Sequence, residues 1–295
     1  GMEYFLSDKT SLTGSVFLRL GDNQSVTDNF TEEFDSSNNP TTARSRVETE
    51  NEEDLSYQFS LNYVTKFDTD GHELTAALQY ARDEEEELSY IDERVVFPDD
   101  ELLPAENIAQ LEDQTEYLAQ IDYVLPIGEN AQFEAGYRGN FEETITDYTL
   151  EEQIVTGGSF VRNNGLSNIF TYDENVHALY TQYGNKFGKF SFLAGLRYES
   201  TQQKGTVDAV VENSSLDIDL NFDNTYDGLF PTLNLTYELG ERENITVGYN
   251  RRINRPRGFF INPFPSRSSE ANVFQGNPSL RPAFANAFDV GYLKR

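Results

Sequence analysis

Strict alternation of apolar and polar side chains is the feature that most constrains this chain. In the segment LSYQFSLNYVTKF at 55–67, leucine and aromatic residues occupy nearly every odd position, and polar residues occupy nearly every even one. A period of two places successive side chains on opposite faces of an extended strand. The segment is therefore predicted to be a strand with one apolar face and one polar face.

The same alternation recurs along the whole chain and predicts an all-β protein. About ten strands are expected, with a partial strand at 3–6. The regular segments lie at 55–67, 74–83, 117–125, 133–141, 190–199, 233–238, 245–252 and 288–292, and less regular ones lie at 10–20 and 175–187.

The connections between these strands alternate in length. Short, glycine-containing connections of the hairpin type lie at 68–71, 126–130, 187–189 and 240–243. Long connections are predicted at 21–54, 84–113, 144–174, 201–228 and 255–283. Short turns at one end and long loops at the other are typical of an antiparallel up-and-down transmembrane β-barrel, with short periplasmic turns and long extracellular loops. Strands of this length also suit a tilted bilayer crossing better than a β-sandwich, whose strands average about five or six residues.

Composition excludes several other classes of protein. No apolar run approaches the about 20 residues that a membrane-spanning helix needs. The net charge of −29 argues against nucleic-acid binding, because phosphate recognition needs a basic surface. The chain has no cysteine, only two histidines, and no nucleophile-elbow, Walker or HExxH motif. We therefore expect no enzyme activity, no cofactor and no metal site.

The apolar strand faces are predicted to contact lipid. A charge on the lipid face is costly at the bilayer centre and tolerated near the interface. Arg82 and Arg251 are charged residues in the apolar phase, and both lie at the long-loop ends of regular segments. Aromatic residues also crowd the segment ends, as in an interfacial girdle. The predicted lipid-facing residues are Tyr57, Phe59, Leu61, Tyr63, Leu74, Leu78, Tyr80, Leu233, Leu235, Tyr237, Val247 and Tyr249.

Five motifs occur in order in the second half of the chain: GLRYE at 195–199, YNRRINRP at 249–256, NPF at 262–264, GNPSLRP at 276–282 and NAFDVGY at 286–292. Together they resemble the outer-membrane β-barrels of TonB-dependent receptors, most like those of Bacteroidetes-type Gram-negative bacteria. The resemblance implies an outer-membrane location and energy-coupled uptake of a scarce nutrient. It also implies a plug domain, TonB, lipid and lipopolysaccharide as partners, and an unknown nutrient as ligand.

The resemblance covers the chain but only part of such a receptor, whose barrel has 22 strands. Residues 1–295 are expected to form a single middle segment of the barrel, without the plug domain and the remaining strands. This segment would supply barrel wall and extracellular loops. Two alternatives remain open, a passive outer-membrane channel and a soluble β-rich binding or adhesion module whose apolar faces form a core.

Two charged regions are candidate sites. From Glu84 to Asp113 there are twelve acidic residues and one basic residue. They indicate either a cation site or a solvated loop that binds lipopolysaccharide through cations, and we favour the loop. Between 251 and 282 there are six arginines and one acid, Glu270.

These arginines, with neighbouring phenylalanines, either contact an anionic ligand or tie acidic loops and lumen carboxylates together, and we favour the structural role. Arg252 and Arg255 are expected to point into the lumen or the loop core. The candidate ligand contacts are Arg252, Arg255, Arg257, Arg267, Phe259 and Phe260.

Overall fold

Antiparallel strands make up most of the computed structural model, which describes residues 1–209, 221–263, 266–267 and 273–294, without the side chains at 209, 266, 267 and 273. The strands are β1 (Met2–Ser7), β2 (Thr10–Phe34), β3 (Pro40–Lys66), β4 (Glu73–Phe97), β5 (Glu101–Leu102), β6 (Glu106–Ile127), β7 (Ala131–Gln153), β8 (Phe160–Arg162), β9 (Asn168–Phe187), β10 (Phe190–Ala209), β11 (Phe222–Gly240), β12 (Glu243–Asn254), β13 (Ser266–Arg267), β14 (Val273–Phe274) and β15 (Ala283–Lys294). One helical turn, α1 (Gly258–Ile261), lies between β12 and β13. In the parts of the chain that are described, no helix is long and apolar enough to cross a membrane.

Eleven of these strands form one up-and-down sheet in the order β1-β2-β3-β4-β6-β7-β9-β10-β11-β12-β15. Strands β5 and β8 extend it at β4 and β7, and β13 pairs with β14 separately. The predicted all-β antiparallel architecture is confirmed, and β1 corresponds to the expected partial strand. Within the described chain, β1 and β15 each pair with a neighbour on one side only.

The register joins the apolar sides of neighbouring strands into one continuous face. Residues directly opposite each other in an antiparallel pair share a face. Phe59, Tyr80, Tyr117 and Phe141 are opposite one another across β3, β4, β6 and β7, and we name them the aromatic row. The strand segments between the short turns and the level of this row are those predicted to cross the membrane. The other side of the sheet, the polar face, carries rows such as Gln120, Arg138 and Ala178.

The prediction of long loops was wrong for 21–54, 84–113 and 144–174. Strands β2 and β3 remain paired from Thr10 opposite Thr65 to Phe34 opposite Pro40, so only residues 35–39 connect them. Strands β4, β6, β7 and β9 are likewise extended far beyond the aromatic row. The alternation fades there, because beyond the membrane the outer face no longer needs apolar residues, whereas ladder hydrogen bonds still hold the strands. For the same reason β9 begins at Asn168, before the predicted segment 175–187, and His177 lies inside the strand.

Buried apolar residues are concentrated in these extensions rather than in the segments predicted to cross the membrane. One cluster contains Ile91, Ile108, Tyr148 and Leu150. A second contains Phe170, Tyr172 and Ile261, and it joins β9 to α1. The second cluster matters for function, because it fixes the chain after β12 against the polar face of the sheet.

Candidate ligand-binding face

A cavity of about 230 Å³ lies on the polar face, between strands β6, β7 and β9 and the α1 segment. Even-numbered residues of the three strands form its wall, and residues of α1 and its C-terminal cap cover it. The lining consists of Gln110, Glu112, Gln114, Glu142, Thr144, Thr146, Tyr148, Asn168, Phe170, Tyr172, Gly258, Phe259 and Asn262. The strand alternation therefore brings polar, acidic and aromatic side chains together around one partly covered cavity.

Carboxylates line the cavity side nearest the membrane. Glu116, Glu142 and Glu174 are directly opposite one another across β6, β7 and β9. Glu174 accepts hydrogen bonds from Tyr172 Oη at 2.9 Å and from Gln203 Nε2 at 2.6 Å. Glu142 lies beyond the aromatic row, and its pKa is raised by burial and by the charges of Glu174 and Glu116. Three carboxylates are therefore side by side at this end of the cavity, and Glu142 is the one that lines it.

Aromatic rings form another part of the wall. The rings of Phe170 and Tyr172 are stacked, with centroids 6.5 Å apart and planes 21° apart. Ile261 of α1, which is 1% exposed, packs on them. Phe259 lines the cavity and stacks on Phe274, with centroids 4.2 Å apart. The site thus offers flat apolar surfaces beside its carboxylates.

Asn168 is the most enclosed polar residue of the lining. It begins β9 opposite Tyr148, on the same face as Phe170 and Tyr172, and is only 4% exposed. Within the described part of the chain, its side-chain amide forms no hydrogen bond. Because Asn168 lines the cavity, its amide is available to a ligand.

Polar contacts tie the segment before α1 to the barrel wall. Arg255 donates to Thr201 Oγ1 at 3.2 Å and forms an ion pair with Glu199. Gln203 Nε2 donates to the carbonyl oxygen of Pro256 at 3.2 Å. Glu199, Thr201 and Gln203 are alternate residues of β10 and are all buried. The polar face of β10 therefore holds the chain that covers the cavity.

Part of the GNPSLRP motif holds the other end of this segment. The backbone N–H groups of Gly276 and Asn277 donate to the carbonyl oxygens of Asn262 and Phe260, each at 2.8 Å. A Cβ atom at Gly276 would lie 2.5 Å from the Asn262 carbonyl oxygen and 2.7 Å from that of Phe260. Only glycine permits this backbone approach, which gives the motif a structural explanation.

The six candidate ligand contacts have different positions. Arg255 and Phe259 are at the cavity cover, although the Phe259 side chain is also exposed, and Arg257 and Phe260 are exposed. Arg252 is also exposed, and its Nε donates to Asn250 Oδ1 at 2.8 Å. The side chain of Arg267, together with residues Phe264 and Glu270, lies outside the described residues.

The cavity strands were not predicted, because 144–174 was expected to be a loop. The even-numbered positions there continue the polar face.

An acidic wall extends from the cavity toward β3. Asp54, Glu85 and Glu112 are directly opposite one another, and Glu52 is opposite Glu87 in the next row. Burial raises the pKa of Glu85, and the neighbouring carboxylates, Glu112 first, raise it further. Carboxylate oxygens of Glu52, Asp54 and Glu85 come within 4.8 Å of one another, a spacing that suits a cation, but all three side chains are partly exposed. The acidic run Asp83–Glu87 is thus strand, not loop.

The twelve predicted lipid-facing residues lie on the apolar face. Rows such as Leu233, Tyr249 and Phe288 continue this face across β11, β12 and β15. Six of the twelve are exposed and six are half-buried. Their contact with lipid stays a prediction.

The comparisons with known proteins agree with this architecture. Residues 65–295 match the family model described as "Outer membrane protein beta-barrel family". No curated protein matches the chain.

Three solved structures with a similar fold are receptors. The siderophore receptor PiuA from Acinetobacter baumannii aligns with a TM-score of 0.53 at 10% identity, over 97% of this chain and 48% of that one. The Serratia marcescens hemophore receptor HasR gives 0.46 at 13%, over 96% and 48%. The ferric-catecholate receptor Fiu from E. coli gives 0.44 at 11%, over 98% and 52%.

The chain spans about half the length of these receptors. At such identities the similarity shows the fold alone, and at that level it confirms the resemblance to TonB-dependent receptor barrels. With the family match over most of its length, this chain belongs to the outer membrane protein β-barrel family and is located in the outer membrane.

Proposed function

We propose that this chain forms barrel wall and extracellular loops of a TonB-dependent receptor that takes up a scarce nutrient. The similarity to the siderophore receptor PiuA supports the receptor class. In this proposal a plug domain and TonB couple transport to energy, lipid and lipopolysaccharide surround the apolar face, and the chain itself catalyses no reaction.

The observation that carries the proposal is the cavity on the polar face, which α1 partly covers. Arg255 and Gln203 hold the segment after β12 against β10, and α1 covers side chains of β6, β7 and β9. A passive channel needs an open lumen, whereas a receptor needs an enclosed ligand site built from a few polar groups and apolar walls. The cavity fits the second requirement.

The test compares nutrient depletion by three strains of the source bacterium: the wild type, a strain lacking the full-length parent protein, and a strain lacking TonB. Mass spectrometry of the spent medium follows each dissolved compound over time. We expect at least one compound to be depleted by the wild type and to remain in the medium of both mutants. Depletion that needs the parent protein but not TonB would support a passive channel. The absence of any compound whose depletion needs the parent protein would contradict uptake.

A further inference from the structure

We propose that the cavity on the polar face binds an organic cation, an ammonium or guanidinium group attached to a flat apolar body. This inference rests on the proposed function, because it names the ligand class of the same receptor. It follows from three properties of the cavity: its unbalanced charge, its stacked rings and its buried amide.

The charge of the lining is negative and is not neutralised. Glu112 and Glu142 line the cavity, Glu174 is opposite Glu142, and no lysine or arginine is part of the lining. In the described chain, none of these three carboxylates forms an ion pair. Arg138, on the polar face of β7, is four residues from Glu142, or about 13 Å along a strand.

Like charges directly opposite each other destabilise a sheet. A cation bound at Glu142 would relieve the repulsion among Glu116, Glu142 and Glu174, and an anion would increase it. The acidic wall of Asp54 and Glu85 continues the same potential away from the cavity, and such a surface attracts cations toward the site. The charge therefore selects against anionic ligands.

The aromatic wall adds a preference for a flat, positively charged ligand. Cations bind over the faces of aromatic rings within about 6 Å of the ring centroid. Phe170 and Tyr172 present stacked rings next to the carboxylates, and Phe259 closes the opposite side from α1. A ligand with a charged end and a flat body fits both features.

Asn168 provides a third contact. Its side chain lines the cavity without a hydrogen bond in the described chain, and an amide has both a carbonyl acceptor and N–H donors. Asn168 is six residues along β9 from Glu174, or about 20 Å, so its amide contacts the other end of a ligand whose cation lies at Glu142. Phe170 and Tyr172 lie between these two contacts along β9.

Three probes with the same phenethyl or benzyl body and different charge test the proposal. They are phenethylammonium, 2-phenylethanol and phenylacetate. Isothermal titration calorimetry with the full-length parent protein in detergent micelles measures the affinity for each probe at pH 7.5. We expect phenethylammonium to bind at least about tenfold more tightly than 2-phenylethanol, and phenylacetate to bind most weakly. Equal affinities for the three probes, or tightest binding of phenylacetate, would overturn the proposal.

Two variants locate the binding site. Glu142→Gln is expected to weaken phenethylammonium binding by about tenfold, because the shape is kept and the charge is lost. Thr144→Lys adds an ammonium group to the lining and is expected to abolish binding. Glu129→Gln changes an exposed turn residue at the other end of the barrel and serves as the matched control. Wild-type affinity in both cavity variants would contradict the assignment.

Binding to the purified protein needs neither TonB nor transport. If the protein binds the cationic probe but no compound in the medium shows TonB-dependent depletion, only the proposed function is contradicted. If a compound shows TonB-dependent depletion but the protein does not prefer the cationic probe, only the ligand class is contradicted.

Discussion

Arg255 and Glu199 form an ion pair that joins the chain after β12 to the polar face of β10. Glu199 is 8% exposed and also pairs with Arg197 of its own strand. Arg255 additionally donates to Thr201. Pro256 follows Arg255 in the chain, and its carbonyl oxygen accepts a hydrogen bond from Gln203. Arg255 is therefore the first residue of the cavity cover that is held against the barrel wall.

Replacement of Arg255 by alanine is expected to loosen the cavity cover without unfolding the barrel. Hydrogen bonds to charged groups contribute about 1.5–3 kcal/mol, and Glu199 keeps Arg197 as its partner. The tryptic cleavage rate after the exposed Arg257 should therefore rise by about 10- to 100-fold. Mass spectrometry of timed digests measures this rate. Arg242→Ala, in the exposed turn before β12, is the control, and equal cleavage rates in wild type and Arg255→Ala would contradict the role of the ion pair.

A charge on the apolar face tests lipid contact. Leu78 lies in the middle of the β4 segment predicted to cross the membrane, opposite Leu61 and Ala119, and Gln79 is on the polar face. Leu78→Arg should lower the free energy of unfolding in phospholipid vesicles by about 2–4 kcal/mol, and Gln79→Arg by much less. Urea titration followed by circular dichroism gives both values. If the two variants lose the same stability, β4 does not face lipid on the Leu78 side.

The sequence predicts the strands that cross the membrane because the bilayer imposes a period of two on them. Phe59, Tyr80 and Tyr117 were each assigned correctly to alternating segments, and the register then places them in one row. The strand extensions could not be predicted in this way, because beyond the membrane the outer face of a strand no longer needs apolar residues. Polar residues such as Glu142 and Thr144 then do not stand out from their neighbours. The cavity lies in these extensions. It forms only because α1 packs onto β9, and no local sequence pattern predicts that contact.

The acidic wall should make the protein less stable as the pH rises. The pKa of Glu85 is raised by burial and by Glu112, Glu52, Asp54 and Glu50, so the folded state holds its proton more tightly than the unfolded state does. This contribution to stability is present below the ordinary pKa of glutamate and is lost as the pH rises through the raised value.

Glu85→Gln removes one of the opposed charges, and it should raise the free energy of unfolding at pH 7.5 by about 0.2–1 kcal/mol. Denaturant titrations at pH 5 and pH 7.5 compare wild type, Glu85→Gln and the exposed turn variant Glu129→Gln. The difference between the two pH values should shrink in Glu85→Gln only. An unchanged pH dependence would mean that Glu85 does not contribute to it.

Replacement of Gly276 by alanine should separate the two segments that it joins, the GNPSLRP motif and the cavity cover. A Cβ atom there would lie 2.5 Å from a backbone oxygen of Asn262, and a backbone cannot rotate away as a side chain can. The hydrogen bonds from Gly276 to Asn262 and from Asn277 to Phe260 should therefore break. Hydrogen exchange of residues 258–263, followed by mass spectrometry, should accelerate by about tenfold or more, since each lost bond contributes about 0.5–1.5 kcal/mol. Gly14→Ala, where a Cβ atom meets nothing within 4 Å, should leave this exchange unchanged. Equal protection in Gly276→Ala and wild type would show that the motif does not hold the cavity cover.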